Sequence, residues 1–143
     1  MACRVNDGQE IWEVLKDDIP VGAIGYAETA RGIGMFKGIC FTKSVHGTGV
    51  AREAVSRVLE KVFSEGVGIV YARFFWDNHR VKRFLEKLGM ELLMRSHSNV
   101  LRNGKVIQWE LGSITADGYV RSNGRHPAHQ ERDLSAANVQ GIA

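Results

Sequence analysis

Apolar and polar residues alternate in the first third of the chain, and the alternation is interrupted by turn-forming residues. Glu10 to Lys16 reads as a strand, Asp17-Asp18 as a hairpin turn, Pro20 to Glu28 as its partner and Gly32 to Thr42 as a third strand. The period then changes. Ala51, Ala54, Val55, Val58, Leu59, Val62 and Phe63 recur at three- and four-residue steps, which lays them along one helical face. A turn and a buried strand follow from Gly66 to Trp76, carrying Val67, Ile69, Val70, Tyr71, Phe74 and Phe75. Asp77-Asn78 opens a short helix with Val81, Phe84, Leu85 and Leu88 on one face, closed by Gly89 at the usual C-terminal glycine position. Glu91 to Ser98 and Lys105 to Leu111 form a hairpin over Arg102-Asn103-Gly104, where Asn-Gly is a strong turn signal. An antiparallel meander followed by helix, strand, helix and hairpin predicts an α+β domain of three layers.

The segment Phe41-Thr42-Lys43-Ser44-Val45-His46-Gly47-Thr48-Gly49-Val50-Ala51 carries the most chemistry. A strand ends, a glycine-bearing turn follows, and a helix starts at once. The first N–H groups of that helix have no partner inside it, and the helix dipole adds partial positive charge. Glycine lets a ligand approach the backbone with no Cβ in the way. The turn is therefore an anion site suited to phosphate or pyrophosphate, or else a plain strand-to-helix turn. It is not a Walker loop, because no Gly-Lys-Ser/Thr follows, nor a Rossmann fingerprint, because the third glycine and the downstream acid are missing.

The run Asn78-His79-Arg80-Val81-Lys82-Arg83-Phe84-Leu85-Glu86-Lys87-Leu88-Gly89-Met90 resembles the N…(F/L)-(Y/L)-E-K-L-G-F signature of the GNAT acetyltransferase family. His46-Gly47-Thr48-Gly49-Val50-Ala51 resembles that family's (Q/R)-x-x-G-x-(G/A) pyrophosphate loop, with His46 where Gln or Arg is usual. The resemblance spans about residues 10 to 111. It implies a GNAT-like three-layer α/β/α domain with a mixed, mostly antiparallel sheet, and acetyl-CoA as donor. By the same resemblance, backbone N–H groups from His46 to Ala51 (His46, Gly47, Thr48, Gly49, Val50 and Ala51) would hold the pyrophosphate. The pantetheine would run between the strand ending at Phe41 and Thr42 and the strand 67–75. Asn78 would hydrogen-bond it, a role compatible with capping the helix.

Acyl transfer to an amine requires a neutral amine, a donor for the thioester oxyanion and a proton for the departing thiolate. In the family the oxyanion donor is a backbone N–H of the strand before the loop. The proton often comes from a Tyr at the position that is Leu85 here, and Leu85 cannot donate one. No Glu lies in the strand 32–42, where a general base is often found. The remaining catalytic candidates are Glu28, Tyr71 and His79, with His97 as a fourth; each also fits a strand end, a core position or a solvent-facing site.

Two departures from the family shape the functional reading. About nine residues precede the meander, so the strand and helices that normally build the acceptor wall are missing. Residues 112–143 are additional to a 1–111 acetyl-CoA-binding domain and hold few large apolar side chains. Such a C-terminal extension cannot fold alone, because ordering each residue costs roughly 1–2 kcal/mol of backbone entropy. It is expected to dock on the domain, on a second subunit or in a larger assembly, with Tyr119, Val120, Leu134, Val139 and Ile142 as anchors. The expected function is acetyl-CoA-dependent N-acetylation of a primary amine of a peptide or protein. The alternative is a catalytically degenerate GNAT-like structural subunit, such as a phage virion protein.

Bulk properties add little. The chain of 143 residues is long enough for one domain with a real core. A formal net charge of +3 suits a phosphate-bearing ligand, yet no basic run suggests a nucleic-acid arm, and Arg80, Lys82 and Arg83 read as the solvated face of a helix. Cys3 and Cys40 suggest neither a disulfide framework nor a metal site, and Cys40 reads as a buried free thiol. No apolar stretch approaches the roughly 18 residues of a transmembrane helix, and no signal peptide is recognisable. The expected location is cytoplasmic, or a virion for the alternative reading.

Overall fold

The computed structural model describes residues 2–6 and 8–123. Seven strands form one sheet: β1 (Ala2–Asn6), β2 (Gln9–Lys16), β3 (Ile19–Ala30), β4 (Ile33–Phe41), β5 (Ile69–Phe75), β6 (Glu91–Arg102) and β7 (Lys105–Thr115). Their order is β1-β2-β3-β4-β5-β7-β6, and only β4 and β5 pair in parallel. Helix α1 (Val50–Ser64) connects those two strands, α2 (His79–Lys87) follows β5, and α3 (Ala116–Asn123) follows β7. The α+β class and the mixed, mostly antiparallel sheet agree with the sequence pattern.

Local chemistry explains the connections. Asp17 and Asp18 both have positive φ, as do Asn103 and Gly104, which is the backbone of the two-residue hairpin turn. Asn78 caps α2 by accepting the Val81 N–H at 3.3 Å. Gly89 follows that helix with φ 100°, a conformation that glycine adopts without strain.

The helices share one side of the sheet. Trp12, Val14, Ile24, Phe36, Val70, Ala72, Phe74 and Ile114 from the strands form a single buried cluster with α1, with Leu85 of α2 and with Tyr119 of α3. Successive strand residues face opposite ways, so Ile11, Met35, Tyr71, Arg73, Phe75, Trp109 and Leu111 lie on the second face. No helix among the described residues covers that face. As the short stretch before the meander implied, β1 leads into β2 through a turn at Gly8 with no helix between them among the described residues. Strand β1 itself was not foreseen, since Ala2–Asn6 is a short edge strand paired only with β2.

The C-terminal boundary also differs from expectation. Strand β7 does not stop at Leu111 but continues to Thr115, pairing Gly112, Ser113, Ile114 and Thr115 with β5. Helix α3 then folds back. Tyr119 is only 1% exposed, packs against Phe63 at a ring-centroid distance of 5.9 Å, and donates its hydroxyl hydrogen to Glu60 of α1. Its neighbours belong to the domain's own core, so it is no surface anchor for a partner. Of the other proposed anchors, Val120 is half-buried in α3, and Leu134, Val139 and Ile142 lie outside the described residues. Cys40 is exposed, because its partner on β3 is Ala23, on the helix-free face.

Candidate active site

The site begins where β4 and β5 part. They share three rungs, Ile33 with Ile69, Gly34 with Val70 and Met35 with Tyr71. Beyond these, β4 continues to Phe41 and β5 to Phe75 without pairing to each other. A bulge contributes to the divergence. Tyr26 pairs with Phe36 and Gly25 with Gly38, which leaves Lys37 as an extra residue in β4. An extra residue bends and twists its strand, and such bulges often border active sites.

The glycine turn lies at the far end of β4. The Thr42 N–H donates to the Val21 carbonyl at 2.9 Å, and its hydroxyl pairs with the Ser44 hydroxyl at 2.8 Å. One 3-10 turn, Lys43–Val45, is pinned by the buried Val45. Thr48 Oγ1 then donates to the Val45 carbonyl and accepts from the Val50 N–H at 3.4 Å. Gly47 and Gly49 have φ 76° and 86°, and a Cβ at either would meet nothing within 4 Å. Gly49 is the N-cap of α1 and offers no side-chain cap of its own, Val50 is buried beneath it, and Ala51 is half-buried. The backbone here faces open space at the positive end of a helix, and any side chain at the glycines would fill that space.

His46 and Arg80 span the opening. His46 Nε2 lies 3.2 Å from the Phe41 carbonyl oxygen, and Arg80 Nη1 of α2 contacts Nδ1. A guanidinium can only donate, so Nδ1 accepts and Nε2–H donates to Phe41. The basic residues of α2 are thus not a simple solvated face. Arg80 reaches the glycine turn, and Lys82 pairs at 3.1 Å with Glu110 of β7.

Glu110 is fully buried and also receives Arg95 at 2.8 Å. Burial alone would push its carboxyl up, but the hydrogen bonds and charges of Arg95 and Lys82 outweigh this and hold it below the ordinary glutamate range. This ion cluster, buried at Glu110 and open to solvent at Arg95, ties α2, and with it Asn78, to the sheet. Asn78 uses only its carbonyl oxygen as the cap, which leaves the amide NH2 as the part suited to a ligand carbonyl.

The catalytic candidates do not converge. The Glu28 carboxylate accepts the Gly32 N–H at 2.9 Å and so closes the β3–β4 turn at the paired end of the strands. Tyr71 sits half-buried on the last shared rung, at the vertex of the opening. His79 is exposed at the start of α2, edge-on to Trp76 at 6.3 Å. For His97 only the backbone, paired with Gln108, is described. Near the vertex the core also holds Tyr26, a residue the pattern marks only as strand. Burial, followed by the carboxylates of Glu28, Glu10 and Glu65, pushes its hydroxyl up to about 12. Lys37, Arg73 and Trp109, around the opening on the second face, likewise carry no signal in the sequence beyond strand alternation.

Among the described residues no group of three His, Cys, Asp or Glu could hold a metal ion. Among the described residues no helix is long and apolar enough to cross a membrane.

Comparison with known proteins agrees with this architecture. Residues 2–91 match the family model described as the acetyltransferase (GNAT) domain. No curated protein matches the sequence. Among solved structures, a variant of the spermidine N-acetyltransferase from Vibrio cholerae superposes with TM-score 0.71 at 17% identity, covering 82% of this chain and 72% of that one. The ribosomal-protein-alanine N-acetyltransferase from Brucella melitensis gives TM-score 0.67 at 14% identity, covering 76% and 70%. An acetyltransferase from Bacillus subtilis in complex with CoA gives 0.66 at 14%, covering 76% and 78%. With its family model matched over more than half its length, the chain belongs to the GNAT family of acetyl-CoA-dependent N-acetyltransferases.

Proposed function

We propose that this protein transfers the acetyl group of acetyl-CoA to a primary amine of a peptide or protein. One observation carries the reading. The gap between β4 and β5 opens beside a glycine turn whose backbone faces empty space at a helix N-terminus. The backbone from His46 to Ala51 would hold the pyrophosphate, Phe41 and Thr42 would flank the pantetheine, and the Asn78 amide would bind one of its carbonyls. Acetyl-CoA supplies an activated acyl group whose thiolate is a good leaving group.

The protein's own part is to orient and to manage protons. Backbone N–H groups of β4 beyond Met35 share no rung with β5, and one of them is suited to stabilise the thioester oxyanion. Of the three candidate side chains, Tyr71 at the vertex is best situated to move a proton. Glu28 is committed to its turn, and His79 lies at the mouth. The structural neighbours act on different amines, polyamine in one case and ribosomal protein in another, so the fold leaves the acceptor open. The helix-free second face supports an extended acceptor over an enclosed small one.

Calorimetric titration with acetyl-CoA tests the reading. The wild-type protein should bind, and Gly49→Val should lose at least about tenfold in affinity, equivalent to about 1.4 kcal/mol. Absence of wild-type binding would refute the proposal. Unchanged affinity in the variant would move the pyrophosphate site elsewhere.

A further inference from the structure

The second face of the sheet carries a charge pattern that bears on the acceptor. We infer that the acceptor is the N-terminal amine of an acidic peptide, whose carboxylates are held by Lys37 and Arg73 on either side of the β4–β5 opening. The inference rests on the acetyl-transfer reading above.

The two cations are placed by the backbone. Lys37 is the bulge residue of β4, and its Cβ lies on the same side as the Cβ that Gly25 would carry, facing away from the helices. Its ammonium is 3.9 Å from the Met35 sulfur, on the last shared rung. Arg73 lies between the buried Ala72 and Phe74, so it too faces away from the core. Its guanidinium stacks 4.8 Å above the Trp109 ring, and Trp109 stacks on Phe75 at 4.0 Å. Lys37 and Arg73 are thus each two residues beyond the last rung, one on each diverging strand. Both are exposed. The carboxylates on this face, Glu13 of β2 and Glu91 of β6, are each two strands away from the opening.

An acceptor must come from this side. The helix side of the opening is filled by Phe36, Ala72, Phe74 and Leu85. An amine approaching from the second face passes between two positive charges beside a flat aromatic shelf. A polycationic amine would be repelled there, and an amine with nearby carboxylates would be attracted. A stacked guanidinium keeps its edge donors for a carboxylate, while Trp109 and Phe75 offer a surface for peptide backbone. In the transfer, the neutral amine nitrogen bonds to the acetyl carbon, the carbon–sulfur bond breaks, and the proton lost by the amine ends on the thiolate. The products are an amide and free CoA thiol.

The test uses the full chain, acetyl-CoA and detection of released thiol. The acceptors are free-N-terminus peptides with Asp or Glu at their second and third residues, matched peptides with Lys there, and spermidine. Acidic peptides should exceed the lysine peptides by about tenfold or more in kcat/KM, a preference that shrinks as salt is raised. Lys37→Glu with Arg73→Glu should reverse the order, while calorimetry gives unchanged acetyl-CoA affinity. Lys37→Glu alone, which leaves the Trp109 stack in place, should narrow the ratio if the double variant does not fold. Preference for spermidine or lysine peptides, or a ratio insensitive to both variants, would overturn the inference while leaving acetyl transfer intact. Failure to bind acetyl-CoA would instead refute the proposed function, and this inference with it.

Discussion

Removing everything after Leu111 should unfold this protein. The composition of residues 112–143 implied an extension added to a 1–111 domain, but the structure makes its first part a piece of the core. Truncation would delete four rungs of β7 with β5, the fully buried Ile114, and α3 with Tyr119. Graded substitutions separate the contributions. Tyr119→Phe removes one hydrogen bond to the buried Glu60 carboxylate, and hydrogen bonds to charged groups contribute about 1.5–3 kcal/mol. Tyr119→Ala also empties an aromatic-sized site against Phe63, and such changes cost about 3–5 kcal/mol. A domain has roughly 5–15 kcal/mol in total, so the truncated chain falls below what folding needs. Urea unfolding followed by near-UV circular dichroism measures all three. With a slope of about 1–3 kcal/mol per molar urea, Tyr119→Phe should lower the midpoint by about 1 M. A truncated protein with native near-UV signal and the wild-type midpoint would refute the reasoning and make 112–123 peripheral to the fold.

Two further predictions concern ionisable groups in the core. Because the Tyr26 hydroxyl is raised to about 12, the folded state retains a proton that the unfolded chain releases near 10, so stability should fall as pH rises from about 10 to 12. Tyr26→Phe should remove that slope in urea titrations at pH 9 and 11; an identical slope in both proteins would contradict the assignment. Glu110 is held below the ordinary range, so its contribution is present above about pH 4.3 and is lost as pH falls below it. Lys82→Ala, which removes one of its two cationic partners, should destabilise by up to about 3–5 kcal/mol in thermal or urea melts near neutral pH and flatten the loss in acid, because Glu110 is then held less far below its ordinary range; a neutral effect would mean that Arg95 alone suffices.

Periodicity and turn chemistry were enough to read the meander, α1, β5, α2 and the last hairpin from the sequence, because each is specified by neighbours in the chain. Asn78 and Gly89 mark the ends of α2, Asp17-Asp18 and Asn103-Gly104 mark hairpins, and Gly47 with Gly49 marks an exposed backbone at a helix start. These signals are local, so they survive without knowledge of the fold. The family resemblance added the order of the layers.

Other features came from residues far apart in sequence. Nothing around Tyr119 announces Glu60, and nothing around Lys82 announces Glu110, since each pair meets only when the helices dock on the sheet. The same holds for His46 with Arg80, and for Lys37 and Arg73 flanking one opening. Hydrophobic pattern dictates which face of an element is buried; it does not say which element lies on that face, nor which face of the sheet the described helices leave uncovered. The divergence of β4 from β5 depends on a bulge in the pairing with β3, a property of register between strands that no single strand encodes.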